Sequence, residues 1–177
     1  MFRTLRRQDR ALSQEETMEI LRRGKFGVLS IVGEDGYPYG VPLHYVVIDH
    51  AIYFHCSRVQ GHKDDALAKN SKISFTVIET EDAIQCKSAI LFGTAEQVPG
   101  MEEIVLEHLV EKFVPHSQWH QAKAGIASAK KKCKGLPFQY PTHYGKTNRQ
   151  TKAALKNAQR KFRWAFHSEI SRKNQEI

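Results

Sequence analysis

The sequence predicts a mainly β fold, in which short consecutive strands form an antiparallel sheet that closes into a small barrel with peripheral helices. Five or six apolar, strand-like runs cluster largely in the first hundred residues. Tight turns rather than helices join most of these runs. No regular alternation of strands and helices is present, which argues against a doubly wound α/β fold.

The first predicted element is a helix with a signal at each end. Ser13 and Glu16 have the spacing of a capping box, and Gly24 suits the position after the last turn. Further helices are predicted over residues 61–70 and, from an amphipathic pattern, over 101–113. The segment 114–134 is mixed and partly helical. These helices are few, so they are expected at the periphery of the sheet.

Six strands are predicted from the apolar runs and the turns between them. They span residues 26–32, 37–48, 51–56, 72–79, 87–98 and 135–146. Gly93 is expected at a bulge or a close approach. Pro137 and Pro141 confine the last strand to an edge or an irregular run, because proline cannot donate to the ladder. Pro42 likewise indicates an edge or a bulge, and an edge would be either unused or open to a flat heterocycle that pairs with free backbone groups.

Length and composition suit one globular domain of 177 residues with 41% hydrophobic residues. No stretch approaches the roughly 18 apolar residues of a membrane span. The basic N-terminus lacks the apolar segment of a signal peptide. Three cysteines without paired spacing predict reduced thiols in a cytoplasmic protein.

The net charge of +8 is concentrated at the C-terminus. Residues 146–177 contain nine Lys or Arg and two Asp or Glu, hence +7, which leaves +1 for residues 1–145. We therefore expect a domain over 1–145 and a basic, helical tail over 146–177. The tail would either be solvated or contact nucleic acid, an anionic membrane surface or an acidic partner.

Histidines and a cysteine cluster around the third strand without the spacing of a zinc site. The candidate ligands are His44, His50, His55, His62 and Cys56. His55 and Cys56 are adjacent in a strand and so point to opposite faces, which prevents them from easily sharing one ion. We predict no metal site, and we expect Cys56 to be a small buried residue rather than a nucleophile.

Gly61, His62 and Lys63 stand where the second helix begins. Helix N-termini present unpaired N–H groups and a positive dipole end to anions. Lys63 adds a charge and His62 a donor, and Ser57 and Arg58 precede them in the same loop. Taken from the residues alone, this segment is either a phosphate cradle or a solvent-exposed turn.

In this order the motifs resemble the pyridoxamine 5'-phosphate oxidase-like flavin-binding split barrels, and among them the nitroimidazole-resistance reductase-like branch. The matching segments include "GVPLHYV", "AIYFHCSRVQGHKDDALAKN" and "KSAILFGTAEQV", and "HYGKTNRQ" matches more weakly. The resemblance implies a six-stranded antiparallel split β-barrel of the FMN-binding type. It also implies a homodimer with FMN in a groove at the subunit interface.

The resemblance assigns three sets of residues to FMN. Val41, Pro42, Leu43 and His44 would line the isoalloxazine ring, partly through backbone groups; His55 and Cys56 would end the strand beneath it; and Gly61, His62 and Lys63 would hold the phosphate. His62 replaces an arginine of related oxidases and would bind phosphate less firmly. His55 would be either a proton donor on the substrate side or a packing and hydrogen-bonding residue.

The activity implied by the resemblance is that of an FMN-dependent oxidoreductase, which would pass electrons from NAD(P)H to a small acceptor such as a nitroaromatic. No Rossmann fingerprint is present, so a nicotinamide would bind transiently over the flavin. The alternatives are a non-catalytic flavin- or heme-binding store or sensor, and a module that binds through its basic tail.

Overall fold

The structure, a computed structural model, describes residues 5–80 and 85–149. Five α-helices are present there: α1 Gln14–Arg23, α2 His62–Lys69, α3 Glu102–Phe113, α4 Trp119–Ala124 and α5 Ile126–Lys130. The strands are β1 Phe26–Val32, β2 Pro38–His44, β3 Val46–Ile48, β4 Ala51–Ser57, β5 Lys72–Thr80, β6 Gln85–Ala95 and β7 Cys133–Arg149. No helix within this part of the chain is long and apolar enough to cross a membrane.

All strand pairs are antiparallel, in the spatial order β2-β1-β5-β6-β7-β4-β3. The strands at the two ends of this order, β2 and β3, are separated in the chain by Tyr45 alone. A sheet whose two edges are joined by a single residue must curl, so the strands enclose a barrel that is split between its edge strands. The predicted mainly β, antiparallel split-barrel fold is confirmed.

Tyr45 divides the strand that was predicted over residues 37–48 into β2 and β3, so the six predicted runs appear as seven strands. Its side chain is fully buried, and its hydroxyl donates a hydrogen bond of 2.7 Å to the carbonyl of Leu21 at the end of α1. The ring lies edge-on to that of Phe75, with 5.0 Å between the centroids. The break in the strand therefore coincides with a residue that joins α1 to the barrel interior.

The barrel interior is filled by alternate residues of the strands, as the period-two patterns predict. Buried positions include Leu29 in β1, Phe54 in β4, Phe75 in β5 and Leu91 in β6. Helix α1 adds Met18, Ile20 and Leu21 to this core, and α2 adds Ala66. A smaller apolar cluster of Val46, Val105 and Leu109 packs α3 against β3.

The predicted capping box of α1 is present. The Ser13 side chain accepts a hydrogen bond from the Glu16 N–H at 3.1 Å, and the Glu16 carboxylate accepts one from the Ser13 N–H at 2.8 Å. Gly24 ends the helix in an extended rather than a left-handed conformation. A Cβ atom at Gly24 would lie 2.5 Å from Val77 Cγ1 and 2.6 Å from Tyr45 Oη, so glycine is required there by close packing.

Of the two alternatives predicted for the last strand, an edge or an irregular run, the structure has the irregular run, because β7 lies between β6 and β4 and its pairing with β6 has a register shift. The reason is that β7 is long and changes partner along its length. Residues 133–138 pair with β4, and residues 138–149 pair with β6. Pro137 therefore lies where only β4 is a partner. Pro141 lies at the register shift opposite Gly93, where the predicted irregularity and bulge are found.

The boundary predicted after residue 145 falls inside β7, which continues to Arg149. The remainder of the predicted basic tail lies outside the described residues.

Candidate functional site

The four candidate residues of β2 are divided between the two faces of the sheet. Val41 and Leu43 pack against the barrel core. Pro42 and His44 are exposed, and His44 pairs with Phe26, which is exposed on the outer surface of β1. A ligand on the outer face would therefore meet the side chains of Pro42 and His44, but only the backbone of Val41 and Leu43.

The candidate residues of β4 are divided in the same way. Cys56 is 8% exposed and belongs to the core, whereas His55 is exposed on the outer face. The predicted opposite orientation of these neighbours is confirmed by this difference. Cys56 thus lies inside the barrel, and His55 joins His44 outside it.

An apolar pocket of about 360 Å³ connects His44 and His55 with α3, α4 and α5. Its other walls are apolar side chains and glycine, among them Leu106, Phe113 and Ile126. The His44 ring lies between two phenylalanines, 4.4 Å from the centroid of Phe26 and 4.5 Å from that of Phe113. The pocket is of the size and apolar character that suit a small organic ligand.

The setting of His55 favours its neutral form. The pKa of His55 is lowered, first by partial burial of its ring and then by the nearby charges of His44 and Lys63. A neutral imidazole at neutral pH carries one donor and one acceptor nitrogen. His55 can therefore orient a ligand by a hydrogen bond or transfer a proton at the pocket wall.

We expect His55 to titrate below its ordinary pKa of about 6.5. The unfolded chain then binds this proton more readily than the folded one, so His55 lowers folding stability as the pH falls through about 6.5. Lys63→Met should raise the pKa of His55, because it removes a like charge. Lys69→Met, at the far end of α2, should leave it unchanged. NMR titration of the His55 ring protons measures both, and an equal shift in the two variants would contradict the assignment.

The predicted phosphate-binding lysine does not project into solvent. Lys63 Nζ lies 2.6 Å from Cys56 Sγ, and the Lys63 side chain is 17% exposed. The Asp64 carboxylate is 3.9 Å from the same ammonium group, and it also accepts a hydrogen bond of 3.0 Å from the Gly61 N–H. The start of α2 is thus already capped by a carboxylate of its own first turn.

His62 and Arg58 are directed to other partners. The His62 ring is exposed and meets the Tyr39 ring edge-on at 4.7 Å between centroids. Arg58 forms a long ion pair of 3.8 Å with Glu102 and donates to the carbonyl of Lys130 at 3.3 Å. The structure therefore brings His44 and His55 together, and Cys56 and Lys63 together, while His62 and Lys63 have different contacts.

Two residues beside the pocket were not singled out from the sequence. Phe113 is the last residue of α3 and lines the pocket. The apolar pattern of this helix is the signal that could have indicated a buried or ligand-facing phenylalanine ring. Lys112 donates to the carbonyl of Tyr45 at 3.1 Å, and its ammonium group lies 4.1 Å from the centroid of the Tyr45 ring. Burial lowers the pKa of Lys112 to about 8. No local signal marks this lysine, because its contacts arise only when α3 packs on the barrel.

No three His, Cys, Asp or Glu side chains are grouped in a way that could hold a metal ion, as far as residues 5–80 and 85–149 are concerned.

Comparison with solved structures shows the same fold. The chain is similar to the conserved hypothetical protein Rv2991 from Mycobacterium tuberculosis (TM-score 0.69, 22% identity, 79% of this chain and 88% of that chain). It is also similar to a putative 5-nitroimidazole antibiotic resistance protein from Bacteroides thetaiotaomicron (0.62, 18%, 77% and 86%). A third similar structure is the FAD-binding protein mll6688 from Mesorhizobium loti (0.59, 22%, 78% and 96%).

Sequence comparison gives the family directly. The uncharacterized protein RA0666 from Rhizobium meliloti (strain 1021) is 28% identical over 93 residues, which are 52% of this chain. The match spans only 60% of that relative. The model of the family described as pyridoxamine 5'-phosphate oxidase matches residues 13–136, which include α1, β1 to β6 and every candidate site residue. The chain belongs to the pyridoxamine 5'-phosphate oxidase family.

Proposed function

We propose that this chain binds FMN in the outer-face pocket and acts as an oxidoreductase that passes electrons from NAD(P)H to a small acceptor such as a nitroaromatic. The observation that carries the proposal is the apolar pocket bounded by His44 and His55. Family membership adds to it, since the predicted FMN residues all fall within the matched segment. When bound, the flavin would supply the hydride and electron transfer that amino-acid side chains cannot provide.

The residues at the ring end fit an isoalloxazine system. Apolar side chains of α3 and α5 offer a surface of low polarity to a flat heterocycle. His44 is held between Phe26 and Phe113, so its ring is a firm part of the wall. The backbone of β2 lies at an edge of the sheet, where its outer N–H and C=O groups are available to the polar rim of such a ring.

The chain's own contribution at the ring end would be to orient the ligand and exclude water. Neutral His55 can donate or accept a hydrogen bond on the pocket side, and its unprotonated ring nitrogen can accept a proton from a bound ligand. His44 and His55 are the titratable side chains among the residues that line the pocket. His55 is therefore our candidate for acid–base work.

The phosphate end fits a bound nucleotide only after a local rearrangement. The loop between β4 and α2 offers Arg58, and α2 offers Lys63. The ion pair of Arg58 with Glu102 is long and partly exposed, so it is weak enough to be exchanged. Lys63 would have to turn from Cys56 towards the phosphate, because its ammonium group now contacts the thiol.

We expect Lys63→Met to weaken FMN binding by roughly 10- to 100-fold, which corresponds to the loss of a charge-assisted hydrogen bond of about 1.5–3 kcal/mol. The matched control is Lys69→Met, which removes the same charge from the exposed end of the same helix. Flavin fluorescence titration gives both dissociation constants. Equal affinities in the two variants, or no retained flavin absorbance in the parent protein, would contradict the proposed site.

Turnover separates the proposed oxidoreductase from a non-catalytic flavin- or heme-binding store or sensor. The alternative gains support from the absence of a carboxylate among the residues that line the pocket. Reconstituted protein should oxidise NADH or NADPH faster when a nitroaromatic acceptor is added. Bound flavin with negligible oxidation under all acceptor conditions would favour the store or sensor.

A homodimer is the second part of the proposal. The outer face of β1 and β5 exposes several large apolar side chains: Phe26, Val28, Val32 and Ile78. Contiguous exposed apolar surface on a soluble domain is typical of an interaction site. We propose that a second copy of the chain covers this surface, which we call the outer sheet face.

A further inference from the structure

Cys56 and Lys63 form an enclosed pair at one end of the barrel. Cys56 lies near the end of β4 with its thiol in the core, and Lys63 reaches it from the first turn of α2. Their Nζ and Sγ atoms are 2.6 Å apart. This separation is shorter than the usual range of about 2.7–3.2 Å for an N–H···O hydrogen bond, although sulfur is the larger atom.

The surroundings of the pair favour chemistry between the two atoms. A neighbouring ammonium group favours the thiolate form of a cysteine, and the thiolate is the form that peroxides oxidise. The Asp64 carboxylate lies 3.9 Å from Lys63 Nζ, so the lysine is held beside the thiol by a second charged neighbour. The Lys63 side chain remains 17% exposed, which leaves a small oxidant a route to the buried sulfur.

We infer that Cys56 and Lys63 are joined by a covalent sulfur–oxygen–nitrogen bridge when the protein meets hydrogen peroxide. One thiol, one amine and two molecules of hydrogen peroxide give one S–O–N bridge and three molecules of water. The S–H bond and one N–H bond are broken, and the S–O and O–N bonds are formed. Sulfur and nitrogen each lose two electrons, and the two peroxide molecules accept all four.

The order of events follows from the reactivity of the two groups. The thiolate attacks one peroxide molecule and becomes a sulfenic acid. The second peroxide molecule then oxidises the amine–sulfenic acid pair, which is held together by the 2.6 Å contact, and water leaves. Other thiols would normally trap a sulfenic acid as a disulfide. The 8% exposure of Cys56 makes such access difficult, so the adjacent lysine is the available partner.

The bridge would tie the start of α2 to β4 across residues 58–61. It would also remove the positive charge of Lys63, which would then no longer attract an anion at the start of α2. This consequence rests on the proposed function, whereas formation of the bridge requires no flavin.

The test is mass spectrometry of full-length protein in which Cys86 and Cys133 are replaced by serine, before and after treatment with hydrogen peroxide. We expect a gain of about 14 Da, one oxygen added and two hydrogens lost, that dithiothreitol reverses. Trypsin should no longer cleave after Lys63, so the peptide of residues 26–58 should be recovered joined to that of 59–69. A peptide map of the unsubstituted chain gives the same answer if the two serine replacements impair folding.

Lys63→Arg is the matched control, since it keeps the positive charge beside the thiol but lacks the primary amine. This variant should gain about 16 or 32 Da on Cys56 instead of 14 Da. The inference is overturned if the parent protein shows those same oxygen additions with normal cleavage after Lys63, or no mass change. A gain of 14 Da in Lys63→Arg would also overturn it. Because the readout is mass alone, failure to bind FMN would not affect the result.

Discussion

Phe75→Ala should lower the free energy of unfolding by about 3–5 kcal/mol, the largest stability effect that we expect from a single substitution in this chain. Phe75 is fully buried in β5, and its ring packs edge-on to that of Tyr45, which in turn anchors α1. Truncation would leave a cavity at the junction of helix and barrel. Urea unfolding followed by circular dichroism measures the change.

Val59→Ala is the control for this substitution. Val59 is 79% exposed in the loop after β4, so its truncation should change stability by no more than about 0.5 kcal/mol. If Phe75→Ala cost no more than Val59→Ala, the described core would be wrong.

A substitution at Gly27, in the neighbouring strand β1, tests the packing around Phe75. A Cβ atom at Gly27 would come closer than 3.0 Å to the Phe75 ring, which is fully buried in the core. Gly27→Ala should therefore cost about 1–3 kcal/mol. The cost should be smaller in a Phe75→Leu background, because leucine lacks the ring atoms that meet the new methyl group. Additive effects of the two substitutions would show that they do not touch.

Val28→Glu should raise the dissociation constant of the proposed homodimer by at least roughly 100-fold, because a carboxylate buried in an interface without a partner costs several kcal/mol. Val28 lies on the outer sheet face in β1 and is 38% exposed. The substitution should therefore leave the barrel interior unaffected. Sedimentation velocity over a range of concentrations measures the dissociation constant.

Val59→Glu introduces the same charge at an exposed valine outside the outer sheet face, and it should leave dimerisation unchanged. A parent protein that stays monomeric at all accessible concentrations would contradict the proposed dimer. So would equal dissociation constants for the two glutamate variants. If FMN lies at the subunit interface, as the family resemblance implies, Val28→Glu should weaken FMN binding as well.

Local sequence patterns were sufficient for most helices and strands, but not for the break at Tyr45 between β2 and β3. The capping box of α1 needs only Ser13 and Glu16, three residues apart. The turn at Asp49 and His50 joins β3 to β4 with both residues at positive φ, and it follows from the polar pair between two apolar runs. The opposite orientation of His55 and Cys56 follows from the period of a strand. These features depend only on residues that are close in the chain, so they can be predicted from the sequence alone.

The strands that pair with β7 could not be predicted from the sequence. The chemistry of Pro137 and Pro141 was interpreted correctly, since neither donates to a ladder. A property of single positions does not distinguish an edge of the sheet from an irregular run within it. Because β7 is long enough to exchange β4 for β6 along its length, each proline has one neighbouring strand although the strand lies inside the sheet.

By itself the sequence determined the elements, the split-barrel family and the residues worth testing. Only the tertiary structure decided what each of those residues faces. The His44–His55 pocket exists because α3 to α5 pack over the outer surface, and the Lys63–Cys56 contact exists because α2 packs on the barrel core through Ala66. The Asp64 carboxylate caps the start of α2, so the predicted anion site already contains a negative charge. Side-chain partners depend on contacts between distant segments, and no local pattern encodes their direction.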